Sequence, residues 1–320
     1  MERLDICAII VTYNRKVLLA RCLQAVEKQS YPLKSIIIID NASSDNTFEY
    51  LCDNDLVTRT IVVCESLLDV SIGENNIFYY RLNHNMGGAG GFYTGMKLAH
   101  KIGYDAYWLM DDDGYPSEDC LERQIGYIKK YDYVMPVSLD VENPDSLSWP
   151  TKKRNNDKTV KYAELMSEWG EIMPYVFPFN GCLLSAKIVD EVGYINPKLF
   201  IWGDDYEHYY RCLKHKYNPI TLLTAKFYHP ANRGYAEPIF FGLVKVPFVK
   251  DKLRFVCVIR NWAYINKTNG RYGALVKSFL AYSWLFLITR RLDMEWYKLY
   301  LASWYDGIRG IFTRHLQYIK

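Results

Sequence analysis

The sequence predicts an α/β fold: a doubly wound, mostly parallel sheet flanked by helices, with a helical extension at the C-terminal end. Two observations lead to this prediction. Continuous apolar runs such as residues 6–11 and Ser35–Asp40 are typical of strands that are buried on both faces. Apolar residues then recur at helical spacing between such runs, and strands that alternate with helices indicate a parallel sheet.

The elements follow one another in this alternating order along the first half of the chain. After residues 6–11 a helix is predicted over 17–26, and after Ser35–Asp40 Asp45 is expected to cap the next helix. The remaining predicted strands are 60–64, 77–82, 105–110, 133–137 and 220–224, with helices over 95–102 and after Ser117. Residues 140–175 are polar and weakly periodic, with a loop expected at 152–156, and basic aromatic helices are expected after residue 240.

Composition excludes several classes of protein. The 320 residues are 50% hydrophobic and 23% charged, which excludes a disordered or collagen-like chain. A net charge of +3 gives no case for nucleic-acid binding. The eight cysteines form no C-x-x-C pair and no secretory leader precedes the first strand, so reduced core thiols in a cytosolic protein are expected. Aromatic residues make up 16% of the chain, which suits sugar faces, interfaces or membrane headgroups.

Charge is concentrated at the C-terminal end. Residues 245–320 contain 14 Lys and Arg against four Asp and Glu, together with 16 aromatic residues. Two interpretations stay open: solvated basic faces of packed helices, or a surface that docks on a membrane or a partner. The longest uncharged apolar stretch, 278–289, is bounded by Lys277 and Arg290, so no membrane-spanning helix is expected.

Carboxylates follow three of the apolar runs. Asp40 ends one, Asp111–Asp112–Asp113 end another, and Asp204–Asp205 follow L-F-I-W-G. Ligands of open α/β sheets bind beyond the carboxyl ends of the strands. Three adjacent aspartates repel one another unless a cation neutralises them, so a divalent metal site is favoured over a solvated acidic turn.

A glycine-rich segment and a Trp-bearing acidic segment complete the candidate chemistry. N-x-N-x-G-G-A-G-G begins at Asn83 and permits a tight turn with a close approach of backbone to ligand, but it has neither Rossmann nor P-loop spacing. Trp202 precedes the adjacent carboxylates Asp204 and Asp205, which suggests a general base beside a platform for a sugar ring. His229, in Y-H-P, is by itself more typical of a structural histidine than of a ligand, and the ligand role is the alternative.

The ordered set of these motifs, over residues 4–235, resembles an inverting GT-A glycosyltransferase of family 2. The set begins with T-Y-N-R at Thr12 and D-N-x-S-x-D at Asp40, and continues through the glycine segment, D-D-D and W-G-D-D-Y-E. G-G-A-G-G-F-x-x-G-M followed by M-D-D-D is most similar to bacterial galactofuranosyltransferases, as is the pair Arg260–Asn261. The glycine between Trp202 and Asp204 departs from the simplest W-D-D form. The resemblance implies a catalytic domain over 1–240, with a nucleotide-sugar half (1–115) and an acceptor half (116–240), and an extension over 241–320.

The resemblance also implies roles for individual residues. Nucleotide-sugar binding is expected of Thr12, Asn14, Arg15, Asp40, Asn83, Asn85, Gly87, Gly88, Gly91 and Asp112. Acceptor binding is expected of Trp202 and Glu207, Mn²⁺ or Mg²⁺ binding of Asp111, Asp113 and His229, and base catalysis of Asp205, with Asp204 as its competitor.

The expected reaction moves a sugar, with inversion, from a UDP-sugar to a glycan or polyprenyl-linked acceptor of a bacterial surface glycan. Galactofuranose is the preferred sugar, and rhamnose or another hexose is the alternative. A nucleotide-sugar- or glycan-binding module without turnover is the alternative from another class. The implied location is cytoplasmic, peripheral at the inner face of the cell membrane. Whether the protein forms a homo-oligomer stays open.

Overall fold

The computed structural model of the protein describes residues 3–57, 76–176, 180–231 and 236–319. The predicted strand 60–64 lies outside these ranges. The strands are β1 (Ile6–Thr12), β2 (Ser35–Asp40), β3 (Ile77–Arg81), β4 (Ala106–Asp111), β5 (Tyr115–Pro116), β6 (Tyr133–Asp140), β7 (Ser146–Lys152), β8 (Lys158–Lys161), β9 (Ile172–Met173), β10 (Cys182–Ser185), β11 (Ile220–His229), β12 (Ala236–Ile239) and β13 (Val244–Pro247). The α-helices are α1 (Lys16–Glu27), α2 (Thr47–Asp53), α3 (Gly87–Ile102), α4 (Cys120–Tyr131), α5 (Tyr162–Trp169), α6 (Ala186–Val192), α7 (Asp204–Lys214), α8 (Lys252–Thr268), α9 (Tyr272–Trp284) and α10 (Met294–Arg309).

One mixed sheet organises the first eleven strands. In the described part of the chain its main path runs β3-β2-β1-β4-β10-β6-β11-β5, and β7, β8 and β9 attach beside this path. Strands β3, β2, β1 and β4 are mutually parallel, whereas β10 is antiparallel to both β4 and β6. The predicted mostly parallel sheet is therefore confirmed, and these four strands all end at one edge.

Helices cover both faces of β1, as its unbroken apolar sequence requires. Ile6, Ala8 and Ile10 belong to one core cluster with Leu19 and Leu23 of α1. On the other face, a Cβ at Gly95 of α3 would clash with the Ile9 side chain. Every residue of β1 is buried, so the strand has no solvent-facing side.

Three predicted elements differ from the structure. Residues 140–175, for which the sequence predicts no strand or helix, contain β7, β8, α5 and β9, and the loop expected at 152–156 coincides with the turn between β7 and β8. The strand predicted at 220–224 continues to His229, and an irregular register between Leu222 and Lys226 interrupts the pattern that would have extended it. Asp45 does not cap α2: Asn46 holds that position, and the Asp45 carboxylate accepts from the Thr47 hydroxyl instead.

The chain divides into two compact units. The first contains Met1–Pro197 and His208–Asn232, and the second contains Lys198–Glu207 and Arg233–Lys320. The expected boundary at 240/241 therefore differs from the observed one, because a short internal segment packs with the C-terminal helices. That segment carries Trp202, Asp204, Asp205 and Glu207.

The predicted C-terminal helices are present as α8, α9 and α10, and their aromatic residues build the core of the second unit. Phe255, Phe286 and Tyr300 are fully buried there, and Trp284 and Trp296 pack against them. This core accounts for much of the aromatic content of the segment.

One helical stretch passes the length and composition test for a membrane span, contrary to the expectation of none. A π-helical turn at Leu285–Thr289 continues α9 to give Tyr272–Thr289, 18 residues of mean hydropathy 1.3. Only Lys277 is charged in it, and the sequence expectation had ended the stretch at that lysine. Length and composition alone are weak grounds for a span, and only 22% of the stretch is buried in the protein.

The cysteines behave as expected within the described ranges. Seven are free and buried, and Cys64 lies outside the described residues. Burial raises the pKa of Cys7 to about 12 and that of Cys257 to about 11, so these thiols are unreactive core groups.

Candidate functional site

Parallel pairing brings three strand ends to one edge, and two of them carry carboxylates. Thr12 pairs with Asp40, and Val11 pairs with Asp111, so the ends of β2, β1 and β4 lie side by side. The loops that follow these strands therefore converge, as the sequence predicts from the position of the aspartates.

Asp40 is a buried hydrogen-bond acceptor at this edge of the sheet. The side chain is 1% exposed, Oδ1 accepts from the Ser43 amide at 2.8 Å, and Oδ2 accepts from the Tyr79 hydroxyl at 2.6 Å. Arg81 lies 3.6 Å from the same Oδ2. Both oxygens already have protein partners, so Asp40 shapes the loop rather than offering a free carboxylate to a ligand.

The loops after β1 and β2 are tied together through Asn14. Its backbone amide donates to Ser43 Oγ at 2.9 Å, and its side-chain oxygen accepts from the Ser44 amide at 2.7 Å. Asn14 has a φ of 55°, a left-handed conformation that asparagine tolerates better than most residues. This cross-link leaves the polar T-Y-N-R turn fixed beside Asp40.

The glycine-rich segment is helical rather than a turn, which corrects the sequence expectation. Gly87, Gly88 and Gly91 lie in the first turns of α3, and Asn85 Oδ1 accepts from the Gly87 amide at 2.8 Å. A Cβ at Gly91 would collide with Val11. Glycine at positions 91 and 95, one turn apart, therefore lets α3 lie directly against β1, while Asn83 is exposed before the helix.

Asn41 is a site residue that the sequence reasoning did not single out. It is 2% exposed, its Nδ2 donates to Gly87 O at 3.2 Å, and its Oδ1 accepts from the Met86 amide at 3.2 Å. Asn41 thus joins the end of β2 to the start of α3. Its position directly after Asp40, at the end of a predicted strand, was the feature of the sequence that could have indicated it.

Arg15 supplies the positive charge that the three aspartates require. Its Nη1 lies 3.1 Å from Asp112 Oδ1 and 2.7 Å from Asp113 Oδ2. Thr12 Oγ1 donates to Asp112 Oδ2 at 2.6 Å. Burial raises the pKa of Asp112 to about 6 even though Arg15 and Thr12 favour its charged form. Arg15, expected to contact the nucleotide, instead lies on the acidic cluster.

Asp113 and His229 face each other as an unusual pair. Asp113 Oδ1 lies 3.1 Å from His229 Nε2, yet this buried oxygen accepts no hydrogen bond of good geometry from the residues described. His229 Nδ1 lies 2.8 Å from Pro230 O, and a carbonyl only accepts, so Nδ1 carries the hydrogen. The Nε2 lone pair of a neutral ring would then point at a carboxylate. A proton or a cation must separate the two.

The surroundings of this pair hold it in place. The His229 ring lies over Trp149, with centroids 4.5 Å apart, and Asn180 Oδ1 accepts from the Asp111 amide at 3.1 Å. Burial acts to raise the pKa of Asp113, but His229 and Arg15 outweigh it and the pKa lies below its ordinary value. Across the described ranges, no three His, Cys, Asp or Glu side chains are grouped closely enough to bind a metal, so Asp111 does not complete the expected set. Trp149 and Asn180 carried no sequence signal.

The acidic segment of the second unit begins α7. Trp202 is 40% exposed and Gly203 has a φ of 93°, so this inserted glycine provides the left-handed turn into the helix. Asp204 is buried and Asp205 is partly exposed. Burial raises the pKa of both carboxyls, and the neighbouring charge of Asp205 raises that of Asp204 further. Glu207 is buried, so it has little surface to offer an acceptor, contrary to expectation.

Comparison with known proteins agrees with this arrangement of motifs. The model of the glycosyl transferase family 2 matches residues 7–193. The galactofuranosyltransferase GlfT1 of Mycolicibacterium smegmatis is 29% identical over 306 residues, which are 92% of this chain and 94% of that protein. GlfT1 of Mycobacterium tuberculosis is 28% identical over 303 residues, with the same coverage of both proteins.

Solved structures share the fold. The S. aureus protein TarS, residues 1–349, superposes with a TM-score of 0.51 at 14% identity over 82% of this chain and 65% of that one. The mannosyltransferase PcManGT of Pyrobaculum calidifontis, in complex with GDP-Man and Mn²⁺, superposes with a TM-score of 0.53 at 14% identity. The match covers 85% of this chain and 65% of that one. This chain thus spans about two thirds of each solved chain, and at such identity the likeness establishes the fold alone.

Proposed function

The chain belongs to glycosyl transferase family 2 and is a glycosyltransferase with the GT-A fold, and on this premise we propose that it transfers galactofuranose from UDP-galactofuranose with inversion. The observation that carries the proposal is the similarity to two named galactofuranosyltransferases over 92% of the chain, which includes both units. Transfer of rhamnose or another hexose is the alternative.

The donor diphosphate is proposed to bind with Mn²⁺ or Mg²⁺ at the end of β4. The Asp113–His229 pair fits a cation, because an unsatisfied carboxylate oxygen and an imidazole nitrogen face each other at 3.1 Å. Asp111, at the end of β4, would be the third ligand after a local rearrangement. A bound divalent ion supplies Lewis-acid neutralisation of the charge that develops on the leaving nucleoside diphosphate.

Asp205 is proposed as the general base. Its carboxylate takes the proton of the acceptor hydroxyl, whose oxygen attacks the anomeric carbon from the face opposite the diphosphate. The bond from that carbon to the diphosphate oxygen breaks, and the configuration inverts without a covalent intermediate. Trp202 would offer its exposed ring to a sugar face of the acceptor.

We further propose that the acceptor is a glycan or a polyprenyl-linked saccharide, and that the enzyme works at the inner face of the cell membrane. The aromatic residues of the C-terminal segment mainly build the core of the second unit, but a different apolar set is exposed. Phe241 is 94% exposed and Leu243 85% exposed at the tip of the β12–β13 hairpin. Phe241 lies edge-on to Trp284 of α9, and Leu280 and Ile288 are more than half exposed on that helical stretch.

Release of nucleoside diphosphate from a panel of sugar nucleotides tests donor and metal together. With acceptor and Mn²⁺, UDP-galactofuranose should be turned over fastest, and excess EDTA or Asp113→Ala should abolish turnover while the far-UV spectrum is unchanged. A different preferred sugar nucleotide would refute the donor assignment. Full activity in EDTA would refute the metal assignment.

A further inference from the structure

The loop that leads into α7 has a strained backbone. Phe200 has a φ of 68° and Trp202 a φ of 61°, in the left-handed region that side chains other than glycine and asparagine rarely adopt. Gly203 follows at 93°. Such a conformation persists only where surrounding groups enforce it, and this loop directly precedes Asp204 and Asp205.

One buried side-chain amide holds this backbone conformation in place. Asn261 of α8 is 0% exposed, and the two hydrogens of its Nδ2 are shared among three carbonyls of the loop. The distances are 2.9 Å to Leu199 O, 3.0 Å to Ile201 O and 2.7 Å to Trp202 O. The carbonyls on both sides of the strained residues therefore converge on a single side chain of the second unit.

Arg260 fixes the orientation of that amide. Its Nε donates to Asn261 Oδ1 at 2.9 Å, which directs the Nδ2 hydrogens toward the loop, and its Nη2 donates to Leu199 O at 2.8 Å. The third nitrogen, Nη1, donates to His315 Nδ1 at 2.7 Å. Burial lowers the pKa of His315 to about 4, so the ring is neutral at physiological pH and can accept.

This arginine is an expensive group to bury. It is 0% exposed, and among the residues described no carboxylate lies within ion-pair distance of it. Burial lowers the pKa of Arg260, and Asp306 is the carboxylate whose charge opposes this shift, but it forms its ion pair with Arg314. A guanidinium buried in this way is tolerated because every nitrogen has an acceptor, and two of those acceptors belong to the loop or to Asn261.

We propose that Asn261 and Arg260 are positioning residues for the transfer reaction: together they hold the Leu199–Trp202 backbone so that Trp202 and Asp205 stand ready for the acceptor. The inference rests on the proposed function, since it assigns the base and the acceptor platform to this loop. It gives the C-terminal helices a role in catalysis in addition to any contact with lipid.

Asn261→Asp tests the proposal with little change in volume. The variant keeps the shape but replaces the donor by a carboxylate that faces three carbonyl oxygens. We expect kcat to fall about 100-fold, as for a reacting group displaced by about 1 Å, with the KM of the donor changed less than about threefold. Arg260→Lys should cause a smaller loss of kcat, because lysine keeps the positive charge but lacks the planar set of guanidinium donors.

Asn266→Asp is the matched control, because it makes the same change on α8 at a side chain that bonds none of the loop carbonyls. It should retain wild-type kcat. Hydrogen exchange of residues 199–207 should become faster in Asn261→Asp and stay unchanged in Asn266→Asp, and this readout does not depend on the donor sugar.

Three outcomes would overturn the proposal: wild-type kcat in Asn261→Asp, an equal loss in Asn266→Asp, or faster exchange throughout the second unit instead of in the loop. If the wild-type enzyme prefers another sugar nucleotide, the donor assignment fails but the same comparison is made with that donor. The two failures are therefore distinguishable.

Discussion

Asp204 and Asp205 begin the same helix but meet different surroundings. Asp204 is 9% exposed, whereas Asp205 is partly exposed and its Oδ1 accepts from the Tyr206 amide at 2.8 Å. Burial raises the pKa of Asp205 to about 6. A carboxylate with this pKa is more basic than an ordinary aspartate and is still ionised at neutral pH, which suits a general base.

Asp205→Asn should therefore lower kcat by about 100-fold or more, because the amide cannot take the acceptor proton. Binding of the donor, measured by calorimetry with the sugar nucleotide, should change little. Asp204→Asn is the paired variant, and it should retain more activity. If Asp204→Asn is inactive and Asp205→Asn is active, the base is one residue earlier.

The pH dependence of kcat follows from the same raised pKa. A base works in its ionised form, so kcat should be constant above about pH 7 and fall as the pH decreases through about 6. An ordinary aspartate, with a pKa of about 3.9, would keep kcat nearly constant down to about pH 5. Steady-state rates at saturating donor and acceptor over this range decide between the two, and a profile that is constant at pH 5 would contradict the burial argument.

At the scale of elements, the β12–β13 hairpin and α9 place apolar side chains in water. Tyr272, Val276, Leu280 and Ile288 recur at multiples of four along the helical stretch, and all are more than half exposed. Phe241, at the tip of the hairpin, is also exposed. Its own φ and that of Gly242 are positive, and in this turn the ring lies in solvent. Exposed aromatic and aliphatic groups beside a basic segment are typical of a surface that binds anionic lipid.

The double variant Phe241→Ser/Leu243→Ser should reduce flotation with anionic liposomes several-fold, because the largest exposed apolar side chains of the tip are lost. Activity on a water-soluble acceptor should stay at the wild-type level. Val160→Ser, at another exposed apolar side chain, controls for a general change in hydrophobicity. Equal flotation of both variants and the wild type, or flotation of none, would mean that the tip does not bind lipid.

At the scale of the whole molecule, the segment that carries the proposed base and the C-terminal helices belong to one compact unit. Lys198–Glu207 is grouped with Arg233–Lys320, although 25 residues of the first unit (His208–Asn232) separate them in sequence. In this unit Gly307 of α10 lies so close to Arg260 O that an added Cβ would clash. The helical extension is therefore part of the machinery that supports the proposed base, and it is not a separable appendage.

A chain that ends at Val244 should lose transferase activity completely. It lacks Asn261 and Arg260, so the carbonyls of Leu199, Ile201 and Trp202 lose their donors, and the core of the second unit is missing. Nucleoside diphosphate release and the thermal midpoint of unfolding measure the two effects, with the full-length chain as reference. Wild-type kcat in the shortened chain would show that the first unit contains the whole catalytic apparatus.

The sequence by itself determined the main strands and helices from β1 to β6 and the position of Asp40 and Asp111 at strand ends. Both are local or periodic properties: apolar runs predict buried strands, and parallel pairing then brings Thr12, Asp40 and Asp111 to one edge. Glycines 91 and 95, spaced by one turn, were the available signal for the close packing of α3 on β1, although the run was interpreted as a turn.

Only the tertiary structure decided which groups meet. Arg15 reaches Asp112 and Asp113 across almost 100 positions of sequence, and Asn261 reaches Trp202 across 59. The same packing buries Tyr300 and exposes Phe241, which composition cannot distinguish. Such pairings depend on how helices and strands close on one another, because a side chain's partners are set by the shared core and not by its neighbours along the chain.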